Sequence, residues 1–325
     1  MSVVRPPVVT VHLQTDWAAS SFANDVRAGL SAQPRRLSPK WLYDDRGSEL
    51  FDQITRLPEY YLTEAEQGIL RDSSSEIASL SVATTLIELG SGTSDKTRTL
   101  LDAFTATGQL ERFVAVDISE ATLRGAAFDI AASYPGLAVE AVVGDFTQHL
   151  DRLPRGGRRV VAFLGSTIGN FYADERAEFL AALFATLEPG DSVLLGTDLV
   201  KDTGRLIAAY NDSAGVTSAF VTNCLAVMNR ELGADFDLDA FSYVAQWDPA
   251  LERMDLRLRV DKAQQVRIPG AGLDIGLAAG DEIQVEISAK FQLAALPALF
   301  TDAGFAHART WTDPRADFAL TLAFR

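Results

Sequence analysis

Cysteine is almost missing from this chain. Its 325 residues contain one, Cys224, so no disulfide can close within it. Histidine is nearly as scarce. His12, His149 and His307 are scattered, and no metal-ligand spacing joins them, which predicts a protein without a bound metal. No apolar run approaches the roughly twenty residues that a membrane span requires. Positive charge is also in deficit: 29 Lys and Arg against 44 Asp and Glu leave a net charge of −15. Nucleic acid calls for a basic stripe and an anionic membrane surface for a basic patch, so neither is an expected partner. The acidity itself names no partner, because solubility is enough to explain it. Met1 to His12 has one basic residue, two prolines and a short apolar run, without the core of a signal peptide. It is expected to be a frayed tail, and the cytoplasm is the default location.

The remaining composition is that of an ordinary globular chain, 47% hydrophobic and 22% charged, long enough for one large domain or two modest ones. Cys224 lies in the apolar run Val221 to Met228, which reads as a buried helix face, so its expected role is packing.

The most informative stretch is Leu86-Ile87-Glu88-Leu89-Gly90-Ser91-Gly92-Thr93-Ser94-Asp95-Lys96-Thr97. An apolar strand runs into an acid, a glycine-x-glycine turn and then a helix. Glycines there let the backbone turn tightly and approach a ligand. Asp95 stands where the dinucleotide fingerprint has its third glycine. With Glu88 two residues before Gly90, the loop reads better as the S-adenosylmethionine loop of a class I methyltransferase.

Around this loop the pattern alternates. Strands are expected at 83–89, 112–117, 138–143, 158–164 and 191–198, and helices at 95–106, 119–133 and 173–187. Such alternation argues an α/β fold, a Rossmann-like parallel sheet with helices on both faces and ligands at the carboxyl ends of its strands. Residues 202–232 read as two helices. From Phe241 to Phe291 the period becomes two, which argues antiparallel strands with one wetter face. Leu293 to Ala303 reads as a helix stopped by Gly304, followed by strands at 308–311 and 318–323 that suit the closing hairpin of a methyltransferase sheet. The expected organisation is a core from 65–200 and 291–325, and a second α+β lobe from 1–64 and 201–290.

Further acids and turns follow at class I methyltransferase positions. Asp117 ends the second strand, 25 residues after Gly92, where a carboxylate can accept both ribose hydroxyls. Gly144-Asp145-Phe146 follows the third strand and suits an adenine amino group and ring. Phe163 to Asn170 closes the fourth strand, facing the transferring methyl. Each acid alone is more often a helix cap. Their order after the loop favours the cofactor. A nicotinamide enzyme would also place an acid after the second strand, but it explains neither Asp145-Phe146 nor the missing third glycine.

Longer motifs now come into view: Pro39-Lys40-Trp41-Leu42-Tyr43-Asp44, the run Gly47 to Tyr61, Gly196 to Asp202, Asn229-Arg230-Glu231-Leu232, Glu286-Ile287-Ser288-Ala289-Lys290-Phe291 and Trp311-Thr312-Asp313-Pro314. With the glycine loop and Phe163 to Asn170, they make the chain resemble the histidine Nα-methyltransferases of ergothioneine biosynthesis, actinobacterial type, from about residue 20 to the C-terminus. The resemblance implies transfer of three methyl groups from S-adenosylmethionine to the α-amino nitrogen of histidine, giving the betaine hercynine. It implies no metal, a small-molecule partner only, and a substrate lobe beside the methyltransferase core. It places Glu88, Gly90, Gly92, Lys96, Asp117, Asp145 and Phe146 on the cofactor. Asn170 and Tyr210 would hold the substrate carboxylate, and Tyr60, Glu286 and Ser288 the imidazole. Tyr43, near the amino group, and Tyr60 are the expected catalytic residues. Leu256 stands where a member of the family has methionine, a swap of similar volume. A monomer is expected.

The chemistry of the residues agrees. Asn170 and Tyr210 are neutral donors for a carboxylate, and Glu286 is a charged acceptor for an imidazole N–H. Alone, Glu286 on an alternating strand would more often face solvent, and Tyr60 would more often be lobe packing. Two other readings compete. A relative acting on tryptophan should replace Glu286 with a small residue. An idle adenosyl-binding regulator should have lost the tyrosines, Asn170 and Glu286.

Overall fold

Short stretches dominated by apolar residues, such as Thr85–Leu89, Arg159–Phe163 and Ser192–Asp198, suit a sheet covered on both faces. In the computed structural model, which describes residues 5–13, 17–92 and 96–325, every residue of those three strands is buried. They form the middle of an eight-stranded sheet. Its order is Val8–Val11, Ala138–Val143, Arg112–Asp117, Thr85–Leu89, Arg159–Phe163, Ser192–Asp198, Phe318–Phe324, Ala306–Thr312. The first six strands pair in parallel, and the last two close the sheet as an antiparallel hairpin. The chain leaves Thr85–Leu89 toward one edge, then crosses back to Arg159–Phe163 on its other side. That reversal is the switch point at which α/β sheets bind ligands.

Strand alternation sorts the side chains into two layers. Leu86 and its partner Phe113 point to one face, with Leu70, Ile77, Leu100, Phe104 and Ile130 from the helices Leu62–Ser81, Thr97–Ala106 and Glu120–Ser133. Ile87 and its partner Val114 point to the other, with Phe179 and Leu183 from Ala173–Thr186 and Phe300 from Leu296–Asp302. This unit comprises Met1–Gln14, Glu64–Leu199 and Phe291–Arg325.

The second unit comprises Thr15–Thr63 and Val200–Lys290. Its sheet runs Arg35–Arg36, Glu282–Ala289, Arg253–Val260, Phe241–Asp248, with a separate hairpin Gln264–Ile268 and Leu273–Leu277. One apolar cluster joins Phe22, Val26 and Leu30 of Trp17–Ser31 and Leu50 and Ile54 of Asp45–Ile54. The same cluster takes Phe220, Val221, Leu225 and Met228 of Val216–Leu232, and the inward strand residues Leu256, Leu258, Ile283 and Val285. Cys224 packs in it, and burial pushes its thiol up to about 12.

Three features differ from the sequence-based expectation. The N-terminal stretch is not a frayed tail through its described part: Val8–Val11 pairs in parallel with Ala138–Val143 at the sheet edge. Three of its four residues stay within the more exposed classes of an edge strand, so no buried alternation betrays it. It also means that the chain's first segment sorts with the large sheet, not with the second lobe. The expected helix from 293 is a short 3-10 turn, Leu293–Ala295, followed by an α-helix from Leu296. Pro297 explains the break, because proline fits the first turn of a helix and clashes farther in. The hairpin at 264–277 was not anticipated, its strands being only five residues each.

Candidate active site

In the first unit the strand ends at Leu89 open into Gly90 and Gly92, with φ of +68° and +49°. Those values lie in the left-handed region that glycine enters without strain. A Cβ on Gly90 would stand 3.6 Å from the Phe146 ring, whereas one on Gly92 would meet nothing within 4 Å among the described residues. None of the described residues therefore blocks a ligand beside the Gly92 backbone. Thr93, Ser94 and Asp95, the last of which breaks the dinucleotide fingerprint, lie outside the described residues.

Asp117 ends the neighbouring strand. Its Oδ2 accepts from the Gly92 N–H at 3.0 Å and its Oδ1 from the Ser119 N–H at 2.9 Å. Burial pushes its carboxyl up, and the N–H groups of Ser119, Gly92 and Ile118 oppose that shift. A carboxylate has about four acceptor sites, so capacity for a ligand hydroxyl remains beside these three N–H groups. The hydroxyls of Ser91 and Thr97 are buried and find no hydrogen-bond partner among the described residues. Unsatisfied buried polar groups beside an open glycine turn fit a polar ligand such as a nucleoside.

Asp145 is buried and braces the turn that follows it; the next helical element begins only at Leu150. It accepts from the Thr147 N–H at 2.9 Å, the Thr147 hydroxyl at 2.6 Å and the Gln148 amide at 3.3 Å. Phe146 stands edge-on to Phe163, centroids 5.3 Å apart, and Glu88 is buried at the end of its strand. Lys96 is engaged within the unit: its Nζ lies 2.7 Å from Oε2 of the fully buried Glu66. The other oxygen of Glu66 accepts from the Gly165 N–H at 2.7 Å. Gly165 and Ser166 both have positive φ, +72° and +58°. For serine that is a sparsely populated conformation, of the kind that concentrates at functional sites. It is held because the Ser166 hydroxyl accepts from the Asp198 N–H at 2.9 Å. The 3-10 turn Thr167–Asn170 follows and ends on Asn170.

The second unit gathers the aromatic residues. Tyr43 meets Phe51 and Phe220 edge-on, each at 5.4 Å, and Phe51 meets Tyr60 at 6.4 Å. Tyr60 in turn meets Tyr210 edge-on at 6.2 Å. The Tyr210 hydroxyl is 2.8 Å from the Ser288 hydroxyl, and the Lys290 ammonium donates to both at 2.7 Å. The Tyr243 hydroxyl donates to the Tyr210 carbonyl at 2.6 Å. Burial, and next the charge of Glu286, push the Tyr243 phenol strongly up. Glu286 is thus an electrostatic neighbour of this group.

A register shift shapes that strand. Gln284 faces Arg257 while Glu286 faces Leu256, so Val285 is the extra residue of a bulge. Leu256 is buried directly across from Glu286, which puts the departure from the family pattern beside the expected imidazole acceptor.

The structure thus joins Gly92 with Asp117 and Gly90 with Phe146 in one unit, and Tyr60, Tyr210 and Ser288 in the other. Sequence reasoning missed Glu66, Lys290 and Tyr243. Lys290 lies inside the run Glu286 to Phe291, where it shares the polar positions with Glu286 and Ser288 and carries no sign of burial. Glu66, in Thr63-Glu64-Ala65-Glu66-Gln67, carries none either. No group of three or more His, Cys, Asp or Glu among the described residues could hold a metal.

Comparison with known proteins gives a consistent result. The family described as histidine-specific, SAM-dependent methyltransferase matches residues 22–325. The histidine N-alpha-methyltransferase of Mycolicibacterium smegmatis is 55% identical, over 97% of this chain and 98% of its own. That of Mycobacterium tuberculosis is 52% identical, with 97% and 98% covered. The ergothioneine biosynthesis protein 1 of Neurospora crassa is 33% identical, over 71% of this chain and 26% of that longer protein. With the glycine turn, Asp117 and the doubly wound sheet in place, this chain belongs to the histidine-specific, SAM-dependent methyltransferases.

Proposed function

We infer that this protein transfers three methyl groups from S-adenosylmethionine to the α-amino nitrogen of L-histidine, forming hercynine, the first step of ergothioneine biosynthesis. The observation that carries this reading is 55% identity to a histidine N-alpha-methyltransferase over nearly the full length of both chains. Similarity to a protein named for ergothioneine biosynthesis supports the place in the pathway.

The residue roles follow from that reading. Asp117 binds the ribose hydroxyls, Asp145 and Phe146 the adenine, and Glu88, Gly90, Gly92 and Lys96 line the rest of the donor. Asn170 and Tyr210 take the substrate carboxylate. Glu286, Ser288 and Tyr60 take the imidazole, with Leu256 beside them. The second unit then serves as the substrate lobe. The donor supplies an electrophilic methyl on a good leaving group, so the protein's task is alignment more than acid–base chemistry. Tyr43, 37% exposed and edge-on to Phe51 and Phe220, serves near the amine in this reading, where a proton must be lost before attack. The protein works as a cytoplasmic monomer without metal. Among the described residues no helix is long and apolar enough to cross a membrane.

Mass spectrometry tests the assignment. Histidine incubated with the protein and S-adenosylmethionine should gain three methyl groups, with the same yield in EDTA. No methylation of histidine would refute the substrate, and loss of activity in EDTA restored by a divalent ion would refute the metal-free chemistry.

The donor side has its own test. Charge-assisted hydrogen bonds are worth about 1.5–3 kcal/mol each. Asp117→Ala should therefore weaken S-adenosylhomocysteine binding by at least about tenfold while the fold is kept. Unchanged affinity by calorimetry in a folded variant would remove Asp117 from the site.

A further inference from the structure

Glu66 lies on the second turn of Leu62–Ser81 and is fully buried. A carboxylate in such a place is unfavourable unless it is paired and hydrogen-bonded. Both oxygens are engaged: Oε2 with the Lys96 ammonium at 2.7 Å, Oε1 with the Gly165 N–H at 2.7 Å. The sheet is shaped to admit it. A Cβ on Gly196, in the strand Ser192–Asp198, would lie 2.5 Å from Oε1 and 3.2 Å from the Phe318 ring, so the carboxylate sets the tighter of the two limits that favour glycine there. Gly165 borders the cation, since a Cβ on it would lie 3.6 Å from the Lys96 Nζ, in ordinary contact.

A neutral side chain would fill the same volume without the cost of desolvating an ion. What the charge adds is direction. An ammonium has three donors on a flexible stem. Glu66 takes one and fixes the stem, and the Lys96 side chain remains 28% exposed. The second oxygen pins the start of the strained segment Gly165-Ser166, whose turn ends on Asn170.

We propose that Glu66 is a positioning residue for methyl transfer: one buried carboxylate sets both the Lys96 ammonium on the donor side and the Gly165–Asn170 turn on the acceptor side. The inference rests on the assignment of Lys96 to the donor given above.

A double-mutant cycle tests it. Glu66→Gln keeps an acceptor for the Gly165 N–H and removes the charge that holds Lys96. It should weaken S-adenosylhomocysteine binding, measured by calorimetry, by about tenfold. It should also raise KM for S-adenosylmethionine. Lys96→Met should cost at least as much. Adding Glu66→Gln to Lys96→Met should cost less than about twofold further, because the two act as one unit. Gly196→Ala, which presses a methyl onto Oε1 and leaves both charges, should reproduce the loss and carries the test should Glu66→Gln not fold. Weakened binding in Lys96→Met with unchanged binding in folded Glu66→Gln or Gly196→Ala overturns the proposal alone. Losses that multiply in the double variant overturn it as well. Unchanged binding in Lys96→Met overturns the donor assignment and the proposal with it.

Discussion

Glu286→Ala is expected to lower kcat/KM for histidine by about ten- to a hundredfold, from the loss of one charged hydrogen bond of about 1.5–3 kcal/mol. The parent protein should discriminate against phenylalanine by up to about 10⁴-fold. A site built to bond a ring nitrogen leaves its own polar groups unpaired around an analogue that lacks one. Removing the carboxylate also removes the charge that a bulkier apolar ring would bury unpaired, so selectivity should relax toward indole. The bulge at Val285 sets Glu286 across from the buried Leu256, so the space vacated by the carboxylate is bordered by apolar surface. The measurement is kcat/KM for histidine, tryptophan and phenylalanine with both proteins. An unchanged histidine-over-tryptophan ratio would mean that Glu286 is only a strand residue facing water, and the imidazole assignment would fall.

The largest effect on stability should come from the other end of the sheet. Arg159 is fully buried at the start of its strand, and Asp191 is 2% exposed just before the next one. The guanidinium donates to Asp191 Oδ2 at 2.7 Å through Nε, and also to the carbonyls of Pro154 and Thr186 at 3.2 and 3.1 Å. Asp191 further accepts from the N–H groups of Arg159 and Glu188, each at 2.8 Å. Asp191→Ala leaves a buried cation without its counter-charge, which typically costs about 3–5 kcal/mol. That is a large share of the roughly 5–15 kcal/mol that holds a domain folded. Urea denaturation should show it as a drop in midpoint. The pair Arg159→Met with Asp191→Leu should recover only part of the loss: it removes the unpaired charge, but the N–H groups of Arg159 and Glu188 lose their acceptor. A loss below about 1 kcal/mol in Asp191→Ala would show that the guanidinium is satisfied without its partner.

The glycine turn and the strand ends of the candidate site were legible because their signals are local. The turn at Gly90 and Gly92, the acids at strand ends and the aromatic runs each occupy a few consecutive residues, and backbone preference and strand period act over that range. The N-terminal strand was illegible for the opposite reason. Val8–Val11 buries little of itself and is a strand only because Ala138–Val143 offers an unpaired edge. The break at Leu296 is readable from Pro297, which fits the first turn of a helix and not its interior.

The sequence by itself determined the alternation of strand and helix, the place of the glycine turn and the order of acids behind it. Periodicity and turn chemistry are properties of neighbouring residues. Only the tertiary structure decided which charges meet. Glu66 reaches Gly165 across 99 residues and Lys96 across 30, and Tyr210 reaches Ser288 across 78. Hydropathy marks Glu66 and Lys290 simply as polar, and a polar residue on a helix or strand is by default solvated. Burial with a specific partner depends on the crossover that brings distant strand ends together, and on the bulge that sets Glu286 across from Leu256. Neither is encoded in the spacing of nearby residues.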